Sequence, residues 1–203
     1  MRANRRTLLQ LGVVSALTQA TPAFAQSSRS RTFDASDYGA VGDGVTINTR
    51  PIQAAIDAAA GEGGGVVVVK PGLYLSGSLF VKSGVTLSIE RGATLRGVQD
   101  LAAYPMVRTR VAGVEMDWPA GLLNIYQQQN AKITGEGLID GDGKVFWDSY
   151  WAMRRDYDPR DLRWAADYDC RRPRLIHVYD SQQVEVSGLN LARSGFWTVH
   201  VCY

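Results

Sequence analysis

The sequence predicts a mainly β fold in which short strands stack as a solenoid, on three observations. From Gly65 onward, short apolar runs recur between clusters of Gly, Ser, Asn and Asp. These runs are too short and too often broken for βαβ units, whose crossovers need about a dozen residues or more, so a sandwich, a barrel or a stacked solenoid remains. An internal repeat favours the last. Asn124 to Leu138 laid over His177 to Leu191, an offset of 53, matches Tyr126 with Tyr179, Ile133 with Val186, Thr134 with Ser187, Gly135 with Gly188 and Leu138 with Leu191. With about 25 residues per rung this offset is close to two rungs, as expected of parallel strands piled into a β-helix. The third observation is that one amphipathic helix precedes the strands and no second helix of comparable amphipathicity is evident.

The elements follow in order. Met1 to Ala25 has a charged start, an apolar run from Leu8 to Leu17 and Ala23-Phe24-Ala25 as a cleavage signal, which together read as an export peptide. The run is too short to span a bilayer, which needs about 20 apolar residues. Asn4-Arg5-Arg6-Thr7-Leu8-Leu9 is similar to the twin-arginine signal of bacteria; an ordinary secretory signal is the other reading, and both predict a periplasmic or secreted protein. Gln26 to Thr32 is a polar linker, and residues 33–203 form the β domain. Asp37 to Gly44 is dense in glycine and reads as a tight loop. Thr49 is a plausible N-cap, Pro51 lies in the first helical turn and Gly61 can end the helix. Ile52, Ala55, Ile56 and Ala59 fall on one stripe, so this helix lies against a core. Strands are expected at Val66 to Val69, Leu73 to Leu75, Leu79 to Val81, Val85 to Ile89 and Thr94 to Leu95. Lys144 to Arg174, rich in Trp, Tyr, Arg and Asp, reads as a long insertion between rungs, and Phe196 to Tyr203 as an apolar strand.

Composition excludes several classes. The 203 residues hold 22 Lys and Arg, 20 Asp and Glu, 45% apolar residues and 2 Cys. That content rules out a disordered tail and a disulfide-stapled miniprotein. Arg2, Arg5 and Arg6 account for the basic excess, so the body is near neutral and no nucleic-acid partner is expected. No membrane contact is expected of the mature chain either. Cys170 and Cys202 either pair in an oxidising compartment or stay as buried free thiols. Without clustered His partners they make a poor zinc site, and no metal or cofactor is expected.

A set of motifs carries a family resemblance. Tyr38-Gly39-Ala40-Val41-Gly42-Asp43-Gly44, Gly63-Gly64-Gly65, Pro71-Gly72-Leu73-Tyr74, Gly137 to Gly143 with Trp147, Arg172-Pro173-Arg174-Leu175-Ile176 and Ser194-Gly195-Phe196-Trp197-Thr198-Val199-His200 resemble, in this order, the family 28 glycoside hydrolases, the polygalacturonases. The opening motifs are shared by the wider pectate-lyase-like superfamily. The resemblance implies a right-handed parallel β-helix with an N-terminal capping helix. It also implies hydrolysis of α-1,4-linked galacturonan or a related pectic polysaccharide with inversion, by a carboxylic acid and a carboxylate on opposite faces of the sugar. The family bears these on Asn-Thr-Asp-Gly and Asp-Asp segments, joined by Gly-His-Gly and Arg-Ile-Lys, and none of the four occurs in this sequence. The chain therefore reads as the N-terminal part of a longer glycosidase, inactive alone and with no catalytic residue of its own.

The remaining candidates have a chemical and a structural reading each. Asp140 and Asp142 are a close carboxylate pair, but beside glycines they are expected to bond turn amides. His177, inside an apolar run, reads as a satisfied wall residue. His200 follows Trp197 at a spacing of three and would line a groove with it, although strand alternation opposes this unless a bulge intervenes. The insertion is either a cleft wall, where Arg171 and Arg172 take uronate carboxylates, or a loop pinned by its own ion pairs. Substrate contact is thus assigned to Trp197, His200, Arg171 and Arg172. Two rival functions stay open: a β-helix lyase, which would need Ca²⁺ and which the Arg172-Pro173 and Phe196-Trp197 segments oppose, and a non-catalytic polysaccharide-binding β-helix.

Overall fold

The computed structural model describes residues 31–203. The export-signal reading of Met1 to Ala25 and nearly all of the linker lie outside the described residues. The chain coils as a right-handed parallel β-helix. The first sheet holds β1 (Thr32–Asp34), β3 (Gly65–Val69), β6 (Val85–Ile89), β11 (Lys132–Gly135) and β14 (Glu185–Ser187); the second holds β2 (Asp43–Ile47), β4 (Gly72–Ser76), β7 (Ala93–Gly97), β12 (Leu138–Asp140) and β15 (Asn190–Ala192). The third is made of β5 (Leu79–Phe80), β10 (Leu123–Tyr126), β13 (Ile176–Tyr179) and β16 (Val199–Cys202). Parallel register puts like on like across the rungs. Val67, Leu87, Ile133 and Val186 form one inward column, and Tyr74, Leu95, Ile139 and Leu191 another. These columns run through the apolar core, with Val186 and Leu191 at its partly buried end.

Helix α1 (Thr49–Gly61) lies against β1, β3, β5 and β6. Its stripe of Ile52, Ala55, Ile56 and Ala59 is fully buried. The two isoleucines each contribute on the order of 1.5–3 kcal/mol by this burial, and the alanines let the backbone approach closely. Asn48, not Thr49, is the cap position. Its buried side chain accepts from the Val41 amide at 2.7 Å and donates to the carbonyls of Val41 and Thr46, tying the glycine-rich loop to the helix start.

The repeat is real, but it spans a different length than expected. Strand β10 pairs directly with β13, and β11 with β14, so an offset of 53 is one rung and not two. A rung without insertion advances by 20 residues, as between Gly65 and Val85. The excess is the insertion between β12 and β13, which contains two helices, α2 (Lys144–Tyr157) and α3 (Ala165–Asp169). These helices correct the expectation of a single one. The buried face of α2 is aromatic, Phe146 and Tyr150 flanked by Met153 and Tyr157, in a stretch otherwise dominated by charge. Leu138 pairs with Asn190 and Ile139 with Leu191, because the corner after Gly135 holds one residue more than that after Gly188. A second insertion, also unanticipated, is the antiparallel hairpin β8 (Met106–Val111) and β9 (Val114–Pro119). Its two-residue turn, Ala112-Gly113, has positive φ at both positions, as a tight hairpin requires.

Gly135 and Gly188 mark one corner of successive rungs. A Cβ on Gly135, at φ +125°, would lie 2.0 Å from the Ile89 carbonyl oxygen, and one on Gly188, at φ +78°, would lie 2.4 Å from that of Gly135. Backbone occupies the space that a side chain would need. Gly135→Ala is expected to lower stability by at least ~3 kcal/mol, read as a fall in thermal midpoint; an unchanged midpoint would show that the corner is not close-packed.

Candidate functional site

The outer face of the third sheet carries a ladder of polar and aromatic residues. Alternation along β10, β13 and β16 turns Leu123 and Ile125, or Ile176 and Val178, inward, and sends Asn124 and Tyr126, His177 and Tyr179, and His200 and Cys202 outward. Register then stacks them. Tyr126 and Tyr179 rings are 4.7 Å apart at 11°, and the His177 and His200 rings 5.7 Å apart at 10°. Asn124 closes the buried end of the ladder: it accepts from the Gly121 amide and donates to the carbonyls of Leu79 and Gly121.

The hairpin covers part of this face. Thr109, fully buried, sets its Oγ1 2.9 Å from His177 Nε2, and Tyr126 donates to the Arg108 carbonyl at 2.8 Å. His177 is sealed from solvent, and its Nδ1 has no protein partner, so the expectation of a satisfied wall residue is half right. Burial, with the nearby Arg174 and His200, pushes its pKa down to about 3. His200 is half-buried, and burial followed by Arg174 takes its pKa down to about 4.

Trp197 and His200 do meet, with ring centroids 4.6 Å apart. The alternation objection does not apply, because Trp197 lies in the bent segment before β16 and not within the strand. With Arg110, Ala112, Gly113, Val201, Cys202 and Tyr203 they line an open cleft of about 340 Å³ between the hairpin and the end of the third sheet. Arg110 stands 5.9 Å from the Tyr203 ring centre.

The two assigned arginines lie elsewhere. Arg172 is 1% exposed, its guanidinium 4.0 Å from the Tyr150 ring centre, 4.5 Å from that of Phe196 and 4.7 Å from that of Trp147. Asp167 lies 3.6 Å from its Nη2, and the Cys170 carbonyl accepts from its Nε. That is an internal brace between the helical insertion and the Phe196 segment, so the substrate-contact assignment fails for Arg172. Arg171 is exposed and rests its Nη1 against Met106 Sδ at 3.5 Å, outside the residues that line the cleft. The arginine that does reach the ladder, Arg174, was not anticipated. It is buried, donates to the Arg110 carbonyl at 2.9 Å and has no carboxylate within salt-bridge distance among the described residues; burial lowers its pKa to about 10.

Asp140 and Asp142 are held in ion pairs. Arg193 and Arg96 both donate to Asp140, which also accepts from the Asp142 amide at 3.0 Å, and Arg193 Nη1 is 3.1 Å from Asp142. Burial would raise the Asp140 pKa, but the bonds from Arg193, the Asp142 amide and Arg96 outweigh it and the net direction is down. A general acid needs the opposite shift. Cys170 and Cys202 are both buried and free. Cys170 packs with Tyr150 and Ala166 in the insertion, while Cys202 sits beside His200. Among the described residues, no helix is long and apolar enough to cross a membrane.

Comparison with known proteins follows from this geometry. Residues 32–97 match the family described as rhamnogalacturonase A/epimerase, pectate lyase-like. A Vitis vinifera protein named "Probable polygalacturonase" is 31% identical over 186 residues, covering 87% of this chain and 35% of its own. The hyperthermoactive exopolygalacturonase of Thermotoga maritima superposes with a TM-score of 0.70 at 27% identity, over 82% of this chain and 43% of its own. The family 28 exopolygalacturonase of Yersinia enterocolitica gives 0.69 at 25%, over 83% and 36%. The chain spans about a third of the length of the curated relative.

Two outcomes are expected. Arg172→Ala lowers stability by about 2–4 kcal/mol through loss of a desolvated cation–π brace, whereas Arg171→Ala stays within about 0.5 kcal/mol; equal midpoints in chemical denaturation would contradict the assignment. In buffer without transition metals, the folded chain holds His177 neutral down to about pH 3, while the unfolded chain protonates it near 6.5. The unfolded state binds the extra proton, so stability falls as pH drops below about 6.5, by up to about 1.4 kcal/mol per unit. His177→Gln should flatten the decline in thermal midpoint between pH 7 and pH 5.

Proposed function

We propose that this chain, which resembles the family 28 polygalacturonases in sequence and in fold, is the polysaccharide-holding part of an exported, pectin-degrading glycoside hydrolase. The observation that carries the reading is the open cleft on the outer face of the third sheet, where Trp197, His200 and Tyr203 stand with Arg110. Aromatic faces accept the C–H surface of a pyranose ring, and a guanidinium fork suits the carboxylate of a uronic acid. That combination fits an α-1,4-linked galacturonan. Trp197 and His200 keep the role assigned from sequence, and Arg110 takes the place of Arg171 and Arg172.

Inverting hydrolysis of the glycosidic bond needs two carboxyl groups about 6.5–9.5 Å apart, one protonated to assist the leaving oxygen and one ionised to activate water. No residue lining the cleft is a carboxylic acid, and Asp140 and Asp142 are committed to Arg96 and Arg193. On this reading the acid and base lie outside the 203 residues, and the chain alone orients substrate without cleaving it. The same lack of a free carboxylate pair favours, as second reading, a non-catalytic polysaccharide-binding β-helix. Export, resting on Met1 to Ala25, belongs to both.

The test uses purified chain and polygalacturonate. Oligogalacturonates should bind, Trp197→Ala should weaken binding by about tenfold, the worth of one aromatic contact of about 1.4 kcal/mol, and no reducing ends should form above the buffer rate. Turnover by the chain itself, or binding indifferent to Trp197, would defeat the proposal. Extending the chain to restore turnover separates the hydrolase from the pure binder.

A further inference from the structure

The register of the third sheet assembles a second constellation that shares His200 and Cys202 with the cleft. His177 and His200 are 23 positions apart in sequence but directly paired between β13 and β16, and Cys202 follows His200 on the same face. One donor atom from each residue lies within 4.8 Å of the other two. Cys202 Sγ is 3.3 Å from His200 Nε2 and 3.5 Å from Nδ1. Two ligands on one ion, a thiolate at about 2.3 Å and an imidazole nitrogen at about 2.0–2.1 Å, are separated by about 3.5 Å. Sγ is nearly equidistant from the two ring nitrogens and so lies over the imidazole face, close enough for a shared ion once the His200 ring turns a nitrogen toward it.

His177 supplies an independent observation. Its Nε2 is engaged by Thr109 Oγ1, while its Nδ1 is buried without any protein partner. A hydroxyl on one ring nitrogen and a vacant lone pair on the other is the arrangement by which an outer group fixes the tautomer of a metal-binding histidine. An orphaned nitrogen otherwise forfeits hydrogen-bond energy with no return.

We propose that His177 Nδ1, His200 and Cys202 Sγ form a site for a soft, thiophilic metal ion, with monovalent copper as the ion that fits. Two imidazoles and one thiolate form a trigonal set of the kind that copper accepts. Charge decides between copper and zinc. Arg174 is buried, has no carboxylate within salt-bridge distance among the described residues, and holds its guanidinium 5.4 Å from the centre of the Trp197 ring that faces His200, so a dication there meets an uncompensated positive neighbour. Replacement of the Cys202 thiol proton by Cu⁺ adds no net charge: the S–H bond breaks, the proton leaves to solvent, and an S–Cu bond forms without redox change. The site corrects the sequence reading that Cys202 lacks histidine partners. It does not depend on the pectic reading, since no sugar contact is invoked.

The experiment titrates reduced, metal-free full-length chain with Cu⁺ held by a chromogenic Cu⁺ chelator, anaerobically at pH 7. The chain should withdraw one equivalent. Cys202→Ser and His177→Gln should each weaken binding at least tenfold while keeping the far-ultraviolet circular dichroism of the parent, and Cys170→Ser should bind as the parent does. Added Cu⁺ should raise the thermal midpoint of the parent but not of Cys202→Ser. Copper left entirely with the chelator, or an unaffected Cys202→Ser, overturns the site. Tighter binding of Zn²⁺ than of Cu⁺ overturns the assignment to a monovalent ion.

Discussion

Parallel in-register stacking is the constraint on which the rest of this structure depends. Backbone donors of the strands in a rung are satisfied by the rungs on either side of it, so each strand must sit squarely on its predecessor and each outward side chain must tolerate its own counterpart about 4.8 Å away. Columns of Val, Leu and Ile meet that demand inside. Outside, the demand is met by pairs that attract or stack: Lys132 over Glu185 at 2.8 Å, Tyr126 over Tyr179, His177 over His200. Two histidines in register can coexist in this partly buried setting because both are neutral. The depressed pKa values follow first from burial and then from the nearby Arg174.

Insertions turn this regular prism into something with a site. The hairpin β8 and β9 folds back over the third sheet, and its cluster of Val111 and Trp118 packs on Phe196. The helical insertion brings Tyr150 and Trp147 against the same region through the guanidinium of Arg172. Arg172 and Arg174 therefore tie two separate insertions to the segment leading into β16. Trp197 owes its place to this packing, stacked on Phe196 at 4.4 Å on one side and facing His200 on the other. Neither insertion lines the cleft with carboxylates, so what they build is a binding surface with aromatic walls.

Local periodicity made part of this legible in sequence. The α1 stripe, the early strands and the glycine corners carry strong short-range signals: apolar spacing of three and four, alternation, and glycine where backbone touches backbone. The repeat was legible too, but its length was not. An offset of 53 residues could be two plain rungs or one rung with an insertion, and pairing alone decides. The helix α2 was hidden because its buried face is built of Phe146 and Tyr150 among arginines and aspartates. His177 beside His200 is invisible to any local pattern, because only the register of β13 on β16 brings the two together. Arg171 and Arg172 show the limit of composition. They suggest anion binding, whereas burial consumes one and the turn at Cys170 directs the other away.

Arg174 links the two chemistries on this face. A guanidinium sealed from water without a carboxylate partner is costly, and hydrogen bonding to the Arg110 carbonyl recovers only part of that cost. Its positive field extends over His177, His200 and Cys202 and, with Arg110, toward the cleft. Such a field disfavours protonation of the histidines and opposes a bare dication, but it attracts an anion. On the proposed readings, a uronate carboxylate beside Trp197 and a Cys202 thiolate would each supply negative charge where the fold has left it missing. On these two proposals, this one uncompensated cation gives a single electrostatic reason for an acidic sugar in the cleft and for a monovalent ion, paired with a thiolate, on the ladder.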